Sequence, residues 1–439
     1  MSGPCPDGWP VLPLKRVASI KLGKMVQPQP ANEGDVEASY LRAAHVQPDG
    51  RIIDVDDKTM WFRPDELAEL DLCSGDVVVV EGGAGYGRSA VLQSDRPGWG
   101  FQNSINRVRA GADKAAGRFV NYVLQRSLAS GETELLVNTA TIPHFTAEKV
   151  AEVRAPFPAV EEQRTIADFL DREIGQIDAM VGSQLRLVAL LTERRKAAVL
   201  YAVTKGLRPN RTLKDSGELW SGDIPGDWAM RRISLLFRTI GSGTTPANED
   251  LLDDGDHYWV TTGELRESVI TSTERSVSRE TLLGSSVLRL YAPGTLIIAM
   301  YGATIGRLGV LGVTACVNQA CCALAEPQGG VSPAFVYYSL LAVRDHLIYL
   351  ASGGGQPNIN QEKIRSLRLP VPSHSEQLEI VAHLDVTTAR IDAMIAKAQE
   401  SIALMKERRA ALISAAVTGR LDVRSGIEQV ERDLEGAHA

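Results

Sequence analysis

Two long segments of the chain carry apolar residues at the spacing of an amphipathic helix. The apolar positions are Ile174, Ile177, Val181, Val188, Leu191, Ala198 and Ala202 in the first segment and Ile391, Ile395, Ala398, Ile402, Met405, Leu412 and Ala416 in the second. Steps of three, four and seven residues place such side chains along one helix face. Pro158 and Pro372 stand just before the segments, and Gly206 and Gly419 lie at their ends, as helix start and stop signals do. We therefore predict two helices of about 40 residues, each about 60 Å long.

The two segments are copies of one sequence. Residues 161–206 align without a gap to residues 375–420, at a constant offset of 214, and eighteen of the 46 aligned positions are identical. Preceding residues recur at the same offset: Pro143, Glu148, Lys149, Pro156 and Pro158 return as Pro357, Glu362, Lys363, Pro370 and Pro372. Self-similarity at a fixed period indicates a duplicated unit. The alternative is a pair of helices buried separately in two unrelated cores.

The stretches outside the helices predict mixed structure. Apolar runs at residues 77–80 and 296–300 are typical of strands, and "FVNYVLQRSL" and "FVYYSLLAV" are typical of helices. Because an apolar seam of this length needs a partner, and the nearest is its own copy, the two helices are predicted to pair. The fold class is α+β, a duplicated unit with two globular domains separated by two long antiparallel coiled-coil helices. The predicted boundaries are residues 1–160, 161–206 (first helix), 207–374, 375–425 (second helix) and a C-terminal tail, 426–439.

Composition excludes several classes of protein. With 439 residues, 44% hydrophobic and 23% charged, the chain has an ordinary globular balance. It has no apolar run long enough to span a bilayer and no N-terminal signal pattern, so a cytoplasmic protein without a membrane partner is expected. Its five cysteines form no C-x-x-C pair, which favours thiols over disulfides and disfavours zinc.

The charge is distributed unevenly. The net charge is −7, which by itself disfavours nucleic acid. However, an acid-free N-terminal segment carries four cations, Lys15, Arg16, Lys21 and Lys24, and the corresponding start of the second half carries Arg231 and Arg232. Such local excess suits phosphate contacts, whereas the alternative interpretation is a solvated surface.

A glycine-rich loop, "EGGAGYGRS" (residues 81–89), nearly matches the phosphate-binding G-x-x-x-x-G-K-[ST] pattern. The lysine is missing, the following residues are strand-like, and the second copy has Tyr301 where the first glycine belongs and Leu308 in place of Ser89. A phosphate-binding loop must open a helix. We therefore predict a β-turn-β loop from which Arg88 or Arg307 reaches a phosphate or a base edge.

No catalytic motif is present. The sequence lacks H-E-x-x-H, G-x-S-x-G and a convincing set of nuclease carboxylates, and the seven histidines do not cluster. Isolated histidines such as His144, His257 and His346 are predicted to be structural or solvent-facing. A recognition scaffold without a cofactor or metal is favoured over an enzyme.

At these residues the chain resembles the specificity (S) subunit of Type I restriction-modification systems. The resemblance rests on the duplicated "EEQ…IDAM…ERR…AVTKG" and "SEQ…IDAM…ERR…AVTGR" segments, on "GSGTTP" (241–246) and "YWVTTGEL" (258–265), on "YGATIGR" (301–307) with "VNQACCAL" (317–324), and on "QPNINQEKI" (356–364). The first half departs from the pattern, since it lacks GTTP and has "FQNSI" (101–105) in place of "VNQAC".

The resemblance implies a non-catalytic DNA-binding subunit. Two target recognition domains would each read one half of a bipartite sequence in double-stranded DNA, and the helices would act as a spacer and dock two modification subunits, with restriction subunits as further partners. The complex would be a DNA adenine methyltransferase and ATP-dependent endonuclease. Both helices carry an "ERR" triplet, and a coiled coil that satisfies itself would rarely place these charges in both copies. The triplets therefore predict Arg194, Arg195, Arg408 and Arg409 as docking residues.

Base readers are predicted from hydrogen-bonding chemistry. Asn and Gln can pair with adenine and Arg with guanine, which makes loop polar residues the candidates. They are Gln102, Asn103 and Arg107 in the first half and Thr244, Thr245, Asn318, Gln319, Asn358 and Asn360 in the second, and Tyr301 is a further DNA-binding candidate. Each could instead cap a turn or a strand end. Two rival classes remain, a coiled-coil scaffold that binds only protein and a P-loop enzyme.

Overall fold

A computed structural model describes residues 6, 8–55, 58–137, 143–247, 250–351 and 358–423. Contacts divide the chain into two compact units, each described here by itself. Unit 1 consists of residues 1–186 and 399–439, and unit 2 of residues 187–398. Each unit therefore contains one mixed stretch of strands and helices and one part of each long helix. The predicted C-terminal tail, residues 426–439, lies outside the described residues.

Unit 1 is built on two sheets. Its strands are β1 (Val11–Pro13), β2 (Ala18–Leu22), β3 (Val36–Leu41), β4 (Thr59–Phe62), β5 (Val77–Val80), β6 (Ser89–Val91), β7 (Gly100–Phe101), β8 (Ile105–Ala110) and β9 (Arg154–Pro156). Its helices are α1 (Pro64–Glu69), α2 (Gly117–Ala129), α3 (Glu132–Leu136), α4 (Ala147–Glu152) and the first part of α5 (Val160–Lys205). One sheet has the order β2-β8-β5-β6 and the other β4-β3-β7, and β1 pairs with β9.

The run of four valines in β5 is explained by burial on both faces. Val77 and Val79 belong to a core with Phe119 of α2, whereas Val78 and Val80 belong to a second core with Phe62. Because successive strand side chains point to opposite faces, a strand between two cores needs an unbroken apolar sequence. The strand predicted at residues 77–80 is confirmed.

Unit 2 has a larger set of strands. They are β10 (Leu213–Asp215), β11 (Asp223–Pro225), β12 (Ala229–Arg232), β13 (Phe237–Ser242), β14 (Leu251–Leu252), β15 (His257–Val260), β16 (Val269–Ile270), β17 (Arg275–Val277), β18 (Leu296–Ala299), β19 (Leu308–Leu311), β20 (Ala315–Val317), β21 (Cys321–Pro327) and β22 (Arg368–Val371). Its helices are α6 (Arg279–Gly284), α7 (Pro333–Ala351), α8 (Gln361–Ser366) and most of α9 (His374–Val417). The sheets are ordered β13-β21-β18-β19-β16 and β14-β17-β15-β20.

Strand β18 repeats the arrangement of β5. Leu296 and Ile298 face one core, and Ile297 and Ala299 face another. The strand predicted at residues 296–300 is confirmed over Leu296–Ala299, and the two helix-like segments lie in α2 and α7. The protein is therefore a mixed helix and sheet structure with long helices, which agrees with the predicted α+β class.

The long helices contain 46 and 44 residues. All fourteen apolar positions predicted to form their seams are buried or half-buried. Gly206 and Gly419 follow the helices with φ of 73° and 70°, a left-handed conformation that glycine adopts without strain. The second helix ends at Val417, earlier than the predicted boundary at 425, because this glycine turns the chain.

Residues that recur in both copies of the repeat fasten each helix to its own unit. Gln163 is fully buried, accepts from the backbone N–H of Ala116 at 3.0 Å and donates to the carbonyl of Pro158 at 2.8 Å. Gln377 does the same in unit 2, accepting from Ser332 N–H at 2.7 Å and donating to the Pro372 carbonyl at 3.0 Å. Each glutamine therefore supplies an acceptor for a backbone N–H that directly precedes another helix, and a donor for the proline carbonyl before its own helix. Without it, these groups would lose a partner at the start of a helix.

The described cysteines, Cys73, Cys316, Cys321 and Cys322, are free thiols, and Cys5 lies outside the described residues. Burial raises the pKa of Cys316 to about 11. Among the described residues, no helix is both long enough and apolar enough to cross a membrane.

Candidate nucleic-acid interface

The loops at one end of the sheet in unit 1 meet because of strand register. Strands β2 and β5 are both antiparallel to β8, with Leu22 opposite Asn106 and Val80 opposite Ile105. The residues that follow β2 and β5 and those that precede β8 therefore converge. We call this set the unit 1 loop edge: Gly23–Lys24, Glu81–Arg88, Gln102–Ser104 and Pro143–His144.

Main-chain hydrogen bonds hold the unit 1 loop edge together. Gly23 N–H donates to the Ile105 carbonyl at 3.0 Å, and Glu81 N–H donates to the Ser104 carbonyl at 2.9 Å. Phe145 N–H donates to the Glu81 carbonyl at 2.6 Å, and Gly82 bridges His144. Segments far apart in sequence are thus fixed against one another by their backbones.

Unit 2 has a corresponding edge, formed by Gly243–Thr245, Met300–Arg307, Asn318–Ala320 and Asn358–Ile359, which we call the unit 2 loop edge. Gly243 N–H donates to the Asn318 carbonyl at 3.2 Å, and Met300 N–H donates to the Ala320 carbonyl at 2.8 Å. Ile359 N–H donates to the Met300 carbonyl at 2.7 Å, and Tyr301 bridges Asn358. The bonds of Met300 and Ile359 match those of Glu81 and Phe145 in unit 1, whereas Gly243 bonds a different position of the facing segment from Gly23.

A glycine permits the closest approach in each edge. A Cβ on Gly243 would lie 1.6 Å from the carbonyl oxygen of Val317, and a Cβ on Gly23 would lie 2.3 Å from that of Gln102. The "FQNSI" segment of the first half therefore occupies the same structural position as "VNQAC" of the second. The glycines are required by backbone proximity rather than by φ.

Several predicted readers in unit 2 are already engaged in the loop edge. Asn318 Oδ1 accepts from Ala320 N–H at 3.0 Å, which leaves its amide N–H₂ group for an outside acceptor. The Thr245 hydroxyl is bonded to Gln319, and both side chains are exposed. Thr244 accepts through its carbonyl from Trp259 Nε1 at 3.1 Å, and burial raises the pKa of Tyr301. Asn360 caps α8 by accepting from Lys363 N–H at 2.9 Å, which is the capping role that the sequence offered as the alternative to base reading.

Each loop edge carries one arginine. Arg88 and Arg307 occupy equivalent positions after the glycine-rich loops, since Gly87 N–H donates to Val80 and Gly306 N–H donates to Ala299 in the same way. Within the described ranges, neither guanidinium takes part in a salt bridge. The loop is followed by strand β6 or β19 and not by an α-helix, so the phosphate-binding P-loop is excluded on geometry.

The predicted basic residues are divided between the two ends of the sheets. Lys24 lies at the unit 1 loop edge, where it pairs with Glu66. Lys21, near the end of β2, pairs with Glu69. Lys15 and Arg16 precede β2, and Arg231 and Arg232 precede β13, at the opposite ends of those strands. The structure thus does not bring these four residues to the loop edges.

The position of Arg107 contradicts its predicted role as a reader of guanine. Only 7% of it is exposed, and its guanidinium donates to the Asp71 carboxylate at 2.7 Å and to the Asp71 carbonyl while it stacks on Phe101. Although burial opposes the effect, a hydrogen bond from Cys73 and pairing with Arg109 hold the pKa of Asp71 below its usual range. This side chain is therefore engaged in an internal ion pair. Its position on β8 directs it toward Asp71 and not toward the unit 1 loop edge.

The docking prediction for the second arginine of each "ERR" triplet is also corrected. Arg195 donates to Asp392 at 2.8 Å within unit 2, and Arg409 donates to Asp178 at 3.2 Å within unit 1. These aspartates belong to the repeated "IDAM" sequences, so each ion pair joins two residues that recur in both copies of the repeat. Arg194 and Arg408 are exposed and are not paired in the described part of the chain.

The sequence interpretation missed one pair at the unit 1 loop edge. His144 Nδ1 lies 3.0 Å from the Glu81 carboxylate, and the ring is half-exposed. The available signal was the offset of 214, which aligns His144 with Asn358, itself a candidate reader. Considered as an isolated histidine, it had been predicted to be structural or solvent-facing.

Comparisons with known proteins place this chain among related sequences. Residues 225–403 match the family model described as Type I restriction modification DNA specificity domain. The chain is 20% identical to the type I restriction enzyme EcoBI specificity subunit of Escherichia coli, with 72% of this chain and 68% of that protein covered. It is 22% identical to the type I restriction enzyme MjaVIII specificity subunit of Methanocaldococcus jannaschii, over 65% of this chain and 66% of that one.

Solved structures show the same fold. A chain from a structure of the type I restriction-modification system, determined to explain its complex assembly and conformational transition, has a TM-score of 0.74 at 17% identity, covering 95% of this chain and 100% of that chain. The HsdS subunit of Thermoanaerobacter tengcongensis has a TM-score of 0.50 at 18% identity, with 95% and 99% covered.

Proposed function

Since this chain belongs to the specificity subunits of Type I restriction-modification systems, whose task is DNA sequence recognition, we propose that it reads a bipartite target, with one half-site for each unit, and docks two modification subunits. The two long helices form an antiparallel spacer between two target recognition domains of a duplicated chain. The chain itself is non-catalytic, and the activity resides in the complex it directs.

The observation that carries this proposal is the recurrence of one loop edge in both units. The main-chain bonds of Glu81 and Phe145 recur at Met300 and Ile359. The side chains that the edges present differ: Gln102, Asn103 and Arg88 in unit 1, and Asn318, Gln319 and Arg307 in unit 2. Base identity is read by such side chains, while phosphate contacts only position the protein. A constant scaffold with variable readers is what two independent half-sites require.

The test is methylome sequencing of cells that carry the modification subunit with and without this chain. The proposal expects one bipartite methylated motif that disappears with the chain. If the motif is absent in both cases while the two proteins still assemble, the chain is a protein-binding scaffold without DNA readout.

Exchange of residues 8–155 for the equivalent segment of a related specificity subunit is expected to change one half of the motif only. The reason is that the loop edge of unit 2 is built entirely from unit 2 residues, so its contacts are unaffected. The measurement is the methylated motif before and after the exchange. A change in both halves would show that the two units share one continuous reading site.

The docking proposal rests on an exposed stripe that recurs on the helices. In unit 2, α5 exposes Leu190, Arg194 and Ala197, and in unit 1, α9 exposes Leu404, Arg408 and Ala411 at the same offset of 214. Leu190 and Leu404 are 68% and 60% exposed, so each stripe presents an apolar side chain one helix turn from its arginine. One such surface for each unit favours two copies of the same partner.

Replacing Arg194 and Arg408 by glutamate is expected to abolish the complex of one specificity subunit with two modification subunits, because charge reversal at the centre of a contact repels the partner. Analytical ultracentrifugation of the purified proteins measures the stoichiometry. Arg164→Glu is the matched control, since Arg164 is an exposed arginine of α5 off the stripe. A stable two-to-one complex in the double variant would place docking elsewhere.

A further inference from the structure

The Glu81–His144 pair lies at the unit 1 loop edge and presents its imidazole ring to solvent. The ring of His144 is 53% exposed, whereas the Glu81 carboxylate is 15% exposed, so the imidazole is the group presented to the outside. Both carboxylate oxygens lie near Nδ1, at 3.0 and 3.1 Å. A shielded carboxylate that holds an exposed ring is the arrangement by which proteins orient a functional histidine.

The backbone on each side of this ring is fixed. Phe145, the next residue, donates to the Glu81 carbonyl and accepts from the buried Asn106 amide at 2.8 Å. The His144 carbonyl accepts from Lys149 Nζ at 2.8 Å. The ring is therefore pre-organised, and a contact made through it loses little conformational entropy.

The equivalent bridge in each unit carries its larger side chain on opposite members. In unit 1 the bridge joins Gly82 to His144, and in unit 2 it joins Tyr301 to Asn358. A Cβ on Gly82 would lie 3.0 Å from His144 Nδ1, so the ring occupies space that glycine leaves open. The bulky residue belongs to one segment of the bridge in unit 1 and to the other segment in unit 2. The space is filled in both units, but by a side chain of different chemistry.

We propose that this bridge is a specificity-determining position in each unit, and that His144, positioned by Glu81, recognises a base with an exocyclic amino group in the unit 1 half-site. In the neutral tautomer that donates from Nδ1 to the carboxylate, Nε2 presents a lone pair. In the major groove the amino groups of adenine and cytosine are the donors that match it. This inference rests on the proposed function, because it needs the loop edge to face DNA.

The test uses the full chain with its modification subunit and methylome sequencing. His144→Ala and His144→Asn, the second of which installs the unit 2 residue, are expected to relax one adenine or cytosine position in one half of the motif. The preference should fall roughly five- to 150-fold, the range for loss of one base contact. Glu81→Met, which installs the residue of unit 2, should relax the same position less, because the ring remains but is no longer held.

Asn358→Ala is the matched variant and should alter only the other half of the motif. A melting temperature close to that of the unmodified chain shows that each variant folds. An unchanged motif in both His144 variants overturns the inference, as does a uniform loss of methylation, which indicates a phosphate contact, or relaxation at a guanine or thymine. If the unmodified chain directs no bipartite motif, the proposed function fails instead.

Discussion

Gly243→Ala is expected to abolish methylation of the target by the assembled complex. The added Cβ would lie 1.6 Å from the Val317 carbonyl oxygen, and both partners are backbone, so neither can move without displacing a strand. The strands that must shift are β13 and β20, whose ends carry the unit 2 loop edge. Overpacking of this kind costs about 3 kcal/mol or more when the surroundings cannot yield. Methylation of a plasmid that carries the motif is the measurement.

Gly284→Ala is the control for this prediction. Gly284 ends α6 in the same unit, and a Cβ there would have nothing within 4 Å. The control should retain methylation and the melting temperature. Full activity of the Gly243 variant would mean that the loop edge of unit 2 tolerates displacement and does not read DNA.

Glu376→Ala is expected to destabilise unit 2 by about 1–3 kcal/mol, the cost of leaving a buried hydrogen-bond donor without its acceptor. Glu376 is 4% exposed, pairs with Arg211, and accepts from Trp228 Nε1 at 3.1 Å. It also lies in the first turn of α9, where a negative charge is favoured by the helix dipole. Without it, the indole N–H of Trp228 loses its acceptor, and Arg211 keeps only its pair with Asp227.

Urea unfolding of the chain, followed by circular dichroism, measures this loss. Glu379→Ala is the control, because Glu379 is half-exposed and its salt bridge to Arg208 spans 3.6 Å. Its effect should stay within about 0.5 kcal/mol, as for most surface pairs. Equal effects of the two substitutions would show that the Glu376 cluster is not a buried anchor.

The helices and the strands at the centre of each sheet could be predicted because their signals are local. A seam with steps of three and four, closed by Gly206 and Gly419, specifies a helix wherever it packs, and four consecutive valines specify a strand buried on both faces. The repeat of the helices and of the segments just before them added the correspondence between the two halves, since the constant offset of 214 survives sequence divergence.

The assignment of individual side chains could not be predicted in the same way. Arg107, Arg195 and Arg409 look like free cations in the sequence, but each meets an aspartate far away in the chain. His144 looks isolated, but register brings it to Glu81. The sequence contains both members of every pair, yet the spacing does not show which residues meet.

The sequence by itself therefore determined the long helices, the duplication it predicts and the family resemblance, because periodicity and repetition are properties of neighbouring residues. Only the tertiary structure decided which cations remain free, where the loop edges form and which side chains they present. The physical reason is that a charge or a polar group is available for binding only if no internal partner satisfies it, and strand register and long-range packing choose that partner.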